Sequence, residues 1–103
     1  MFARNVSIHL KANALAEFGK TFDRDVLPIL RKQAGFQDEI TLSMPGGNDV
    51  VAISLWDTKE HAEAYNNTGY PQVLKTLDQV LDGAPKVRVS DVLSTLQKHA
   101  VAA

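Results

Sequence analysis

The first strand-like pattern in the chain opens at its second residue. Phe2, Val6, Ile8 and Leu10 fall on one side, and Ala3, Asn5, Ser7, His9 and Lys11 fall on the other. A period of two with one apolar side predicts a strand covered on one face. Leu15, Phe18, Phe22, Leu27 and Leu30 then recur at helical spacing, with Asn13 placed to cap the helix and Gly35 at its left-handed C-terminal position. Pro28 falls inside that stripe. Its missing N–H and its ring predict a kink, because the stripe continues to Leu30. Phe36 to Met44 alternates again, Ile40, Leu42 and Met44 against Glu39, Thr41 and Ser43. The turn signal Pro45-Gly46-Gly47-Asn48-Asp49 predicts a hairpin into the next strand.

Asn48 to Tyr65 organises the rest. Val50 to Trp56 is a continuous apolar run, the mark of a central strand buried on both faces. Asp57-Thr58-Lys59-Glu60 follows at once as a capping-box-like signal, with Asp57 as the cap, so Trp56, His61 and Tyr65 are expected around one corner. Asn66-Asn67-Thr68-Gly69 interrupts the helix, and Pro71 starts a second piece carrying Leu74, Leu77 and Leu81. Asp82-Gly83-Ala84-Pro85 stops it, and Lys86 to Leu93 reads as a fourth strand. The order β-α-β-β-α-β predicts an α+β, ferredoxin-like fold, a four-stranded antiparallel sheet with both helices on one face. One domain is expected over residues 1–96, with a frayed tail over 97–103. A central strand that is apolar on both faces would leave an exposed patch, which predicts a homodimer with the two sheets face to face.

Composition then removes options. The chain has 103 residues, 45% of them hydrophobic, enough for one core. The net charge is -1 with no basic block, so neither nucleic acid nor an anionic membrane is an expected partner. The absence of cysteine excludes disulfides, thiolate nucleophiles and Cys-ligated metals. Arg4 and Asn5 follow Phe2 with no long apolar region, unlike a signal peptide, and a cytoplasmic location is the expectation. No Ser-His-Asp set is defensible, and His61 and Glu63, two apart on a helix, do not face one another as a zinc pair would.

The chemistry-bearing positions are few. Asn5, Ser7 and His9 share a strand face and would line a polar cavity if that face looked toward the helices. His9 is the candidate general base by its intrinsic pKa, and Tyr65 can orient a ligand or accept a proton. Trp56 reads as core first and pocket wall second; Tyr70 stands beside the helix break. Arg88 is placed either for an anionic substrate or for a surface ion pair.

The Gly35-Phe36 entry into the second strand, the hairpin, the run Trp56-Asp57-Thr58-Lys59-Glu60-His61-Ala62 and the broken helix from Asn67 to Leu77 resemble the dimeric α/β-barrel superfamily. Within it, the resemblance is to antibiotic-biosynthesis-monooxygenase-like domains. It implies a pocket between sheet and helices in which an aromatic or quinol-type small molecule is oxidised by dioxygen, with no cofactor. Asn5, Trp56 and Arg88 would then bind substrate, and His9 or Tyr65 would handle the proton. A related branch degrades heme and carries an Asn on the first strand, then a Trp and a His on the second helix. Asn5 matches the first, but Tyr65 and Lys75 stand at the other two positions, and a protonated lysine is a poor iron ligand. The remaining alternative is a non-catalytic dimeric ligand-binding protein of the same fold.

Overall fold

β1 (Phe2–His9) occupies the middle of the sheet, pairing with β3 (Asp49–Trp56) on one side and β4 (Lys86–Asp91) on the other. β2 (Phe36–Ser43) adds to the far side of β3, giving the order β2-β3-β1-β4 with every pair antiparallel. This is the ferredoxin-like arrangement expected from the element order. The computed structural model describes residues 1–96, so the expected tail over 97–103 lies outside the described residues. Among the described residues, no helix is long and apolar enough to cross a membrane.

The helical arm between β1 and β2 runs as α1 (Leu15–Thr21), a π-helical turn (Phe22–Val26) and α2 (Leu27–Arg31). Leu27 N–H reaches Phe22 C=O, five residues back, and Pro28 follows in the first turn of α2. The widened turn absorbs the donor that proline lacks, so the apolar stripe continues as a π-bulge. The cap differs from expectation. Asn13 takes a left-handed φ of 61° in the turn out of β1, and Ala14 becomes the N-cap without a side-chain bond. Gly35 ends the arm at φ 81° as expected, and a Cβ there would run into Asp57 and His61.

The second arm is α3 (Lys59–Asn67) and α4 (Gly69–Leu77), broken at Thr68 where the sequence places the break. Its cap is Thr58, whose Oγ1 accepts from His61 N–H at 3.1 Å, and not Asp57. The Asp57 carboxylate turns instead to His61 Nδ1, 2.7 Å away. β4 ends at Asp91, two residues short of the expected Leu93.

Both arms pack on one sheet face, around Phe2, Val6, Ile8, Val50, Ala52 and Trp56. The opposite face carries Ala3, Asn5, Ser7 and His9 in register with Val51, Ile53 and Leu55, flanked by Ile40 and Leu42. Within the single chain, β3 is buried on its inner face and half-buried on its outer one. Ile40 and Leu42 remain 55% and 42% exposed.

Candidate active site

The parity of β1 decides the site. Phe2, Val6 and Ile8 must face the helices to be buried, and the residue between them, Arg4, goes with them. Arg4 is only 2% exposed. Its Nη2 donates to Asn66 Oδ1 at 2.9 Å, and its guanidinium carbon lies 4.8 Å from the Tyr65 ring centre and 4.4 Å from that of Tyr70. Burial pulls its pKa down from the ordinary value, opposed by the two phenols. An arginine keeps its charge under such conditions, and aromatic faces attract it most strongly when water is excluded.

Trp56 is fully buried and donates its Nε1–H to Ser54 Oγ at 2.9 Å, so the indole has the partner a buried tryptophan needs. Tyr65 stacks on it at 4.9 Å, and Phe36 meets it edge-on at 5.6 Å. Burial, partly offset by Arg4, pushes the Tyr65 phenol up to about 12. Burial thus holds the Tyr65 phenol in its neutral form at physiological pH.

Glu39 enters through an irregularity. A bulge between Phe36 and Asp38 resets β2, so Asp38 pairs with Leu55 on the outer face and Glu39 with Ser54 on the inner face. Its carboxylate accepts from Thr41 Oγ1 at 2.8 and 3.0 Å. Burial pushes its pKa up to about 7; Asp38 and Asp23 add to the rise and the Thr41 hydrogen bond opposes it. A carboxyl with that value exchanges its proton freely near neutral pH, the condition for a general acid or base.

Two spaces meet at Glu39 and Phe22. A recess of about 40 Å³ lies between sheet and helices, with Arg4, Ser54, Tyr65 and Tyr70 in a wall otherwise largely aliphatic. An open groove of about 420 Å³ runs between α1 and β2, lined among others by Phe18, Phe22, Leu27, Glu39 and Thr41. The groove has the size of small-molecule sites, and the recess does not.

Of the residues nominated from sequence, Trp56 and Tyr65 come together. Asn5, His9 and Arg88 do not join them, because the odd positions of β1 face away from the helices. Asn5 stands opposite Ile53 and Arg88 in the outer-face register. His9 is exposed, its Nδ1 2.7 Å from Asp49 Oδ1 and its Nε2 3.6 Å from Asp82 Oδ2. The hydrogen bond to Asp49, chiefly, raises its pKa. The polar row Asn5-Ser7-His9 therefore lines no sheet–helix cavity. The polar residues that β1 and β2 turn toward the recess are Arg4 and Glu39. Their signals were a cation inside an apolar strand row and a carboxylate sharing a row with Thr41 and Ser43.

Heme does not fit these residues. Lys75 is exposed on α4, no histidine among the described residues lines the recess, and about 40 Å³ cannot admit a macrocycle. Among the described residues, no group of three His, Asp or Glu side chains is disposed to hold a metal ion.

The profile of the antibiotic biosynthesis monooxygenase family matches residues 1–76. Similar solved structures include a protein of unknown function from Nitrosomonas europaea, 15% identical with a TM-score of 0.76, covering 91% of this chain and 90% of that one. Another is SnoaB, a cofactor-independent oxygenase from Streptomyces nogalater, 18% identical with a TM-score of 0.75, covering 94% of this chain and 97% of that one. A third is a point mutant of MhuD with two manganese protoporphyrin IX bound per active site, 17% identical with a TM-score of 0.76, covering 93% and 98%. At these identities the likeness is one of fold. No curated protein matches the chain.

Proposed function

The chain belongs to the antibiotic biosynthesis monooxygenase family, and from that premise we propose that it oxygenates a small phenol or quinol, with Glu39 as proton acceptor. The observation that carries the reading is Glu39 itself, a carboxyl raised to about 7 where an aromatic-sized groove meets a buried, Arg-lined recess. The ring of the substrate lies in the groove against Phe18, Phe22 and Leu27. Ionised Glu39 takes the hydroxyl proton, and the phenolate passes one electron to dioxygen. The resulting aryloxyl radical and superoxide combine with formation of one C–O bond. The peroxide anion recovers the proton from Glu39 and loses water, leaving a carbonyl where the ring carbon carried hydrogen. One phenol and one dioxygen thus give one quinone and one water. Tyr65 lines the recess beyond Glu39, and the buried Trp56 stacks behind it and holds it in place.

The same reading covers the outer face with a second copy of the chain, supported by the exposed Ile40 and Leu42 beside half-buried Val51, Ile53 and Leu55. Asn5, His9 and Arg88 would then belong to that contact. The test of the activity is α-naphthol under isotopically heavy dioxygen. One labelled oxygen should appear in the quinone, and Glu39→Gln should slow its formation by about 10²-fold or more, the size of a general-base contribution. Label entering from water, or an unaffected variant, would sink the proposal.

A further inference from the structure

We propose that the small recess behind Glu39 is a dioxygen pocket, and that Arg4 in its wall stabilises the superoxide formed there. The first half stands on the cavity alone; the second rests on the oxygenase reading above.

Size separates the two spaces. At about 40 Å³ the recess is near a tenth of the groove, room for a guest of two or three heavy atoms and not for a ring. Its wall is dominated by aliphatic side chains, Val6, Ile8, Val26, Leu30, Val73 and Leu77 among them. Water needs two to four polar partners to be held in such a place. Of the polar groups in the wall, Ser54 Oγ accepts from the Trp56 indole, Arg4 donates to Asn66 and Glu39 accepts from Thr41. A nonpolar diatomic requires no partners and gains dispersion contacts from the aliphatic wall.

Arg4 makes the recess more than a void. Its guanidinium is buried, bonded to the neutral Asn66 amide and stacked against two phenol rings. A fixed cation in a water-poor site interacts weakly with neutral dioxygen and strongly with superoxide, so its effect falls on the electron-transfer step. The shared residues Glu39 and Phe22 bring a phenolate in the groove to the mouth of the recess. The electron moves from phenolate to dioxygen, and no further reductant is needed.

The test begins without substrate. Dioxygen is paramagnetic, so methyl relaxation is measured on the full chain under nitrogen and under pressurised dioxygen. Methyls of Val6, Ile8, Leu30, Val73 and Leu77 should relax severalfold faster than those of Val80, which is equally buried but lines neither space. Ala52→Leu, and separately Val73→Leu, fill the recess and should abolish the excess. A uniform effect, or an excess that survives in whichever filled variant folds, overturns the pocket. With α-naphthol, the filled variants should raise KM for dioxygen severalfold. Arg4→Gln should lower kcat at least tenfold while keeping the methyl excess, and Arg4→Lys should recover part of it. An Arg4→Gln rate equal to wild type overturns the role of Arg4. A methyl excess in a protein that oxygenates no α-naphthol would support the pocket and overturn both the oxygenase reading and the Arg4 role.

Discussion

Replacing Glu39 by glutamine separates what its carboxyl does for activity from what it does to stability. The ordinary value of the group is 4.5, and in the fold burial pushes it up to about 7. Between those values the folded chain holds a proton that the unfolded chain has released. Stability therefore falls as pH rises from about 4.5 through about 7 and is level above that. Taken in full, the rise corresponds to about 3 kcal/mol. Partial solvent access at the groove leaves roughly 1–2 kcal/mol of it. Glutamine has no charge to bury, and its carbonyl oxygen can still accept from the Thr41 hydroxyl that now bonds the carboxylate. Urea unfolding of both proteins, followed by circular dichroism, measures the difference. The variant should be more stable by roughly 1–2 kcal/mol at about pH 8 and equal to wild type at about pH 4. Comparing the two proteins at each pH cancels groups common to both, including His9. The raised pKa of His9 makes its own contribution fade as pH rises through the folded value. A variant less stable at about pH 8, or one whose gain does not change with pH, would refute the burial argument.

Three further substitutions probe the frame around the site. Gly35→Ala places a Cβ at φ 81° against Asp57 and His61, and thermal unfolding should show a loss of more than about 1 kcal/mol. Trp56→Phe removes the 2.9 Å bond to Ser54 and leaves a void beside Tyr65, for an expected loss of about 2–3 kcal/mol in urea unfolding. Ile53→Lys puts a charge at the centre of the outer sheet face, opposite Asn5 and Ile40. Sedimentation equilibrium should then find wild type as a dimer and the variant as a monomer, whereas a monomeric wild type would remove the proposed outer contact.

The fold was legible because its signals are local. The alternation of β1, the glycine-rich hairpin, the abrupt passage from Trp56 into a helix and the break near Thr68 each follow from a few adjacent residues. The site was harder to read because it depends on which sheet face the helices choose. In β2 the apolar row of Ile40 and Leu42 faces outward, and the polar row of Glu39 and Thr41 faces the groove, the reverse of the usual guide. A half-buried outer face makes apolarity a poor indicator of side, and the bulge before Asp38 hides the phase. In β1 the polar residues Asn5 and His9 drew notice as a row, while Arg4 was masked by its apolar neighbours. Parity alone would have placed Arg4 inside, since Phe2, Val6 and Ile8 leave it no other direction. The caps moved by one residue for a comparable reason. Asp57 and Asn13 each have a competing use, the first in binding His61 and the second in a left-handed turn.

The central claim is that proton transfer in this protein belongs to Glu39 on the inner sheet face. Its most direct test is the pH profile of dioxygen consumption with α-naphthol, corrected for the uncatalysed rate, for wild type, Glu39→Gln and His9→Gln. The account predicts a wild-type rate that rises through about pH 7, the value given to Glu39 by its burial. It predicts the same profile for His9→Gln and loss of the rate for Glu39→Gln. A Glu39→Gln profile that still rises through about pH 7, or a rate lost only with His9, would contradict it.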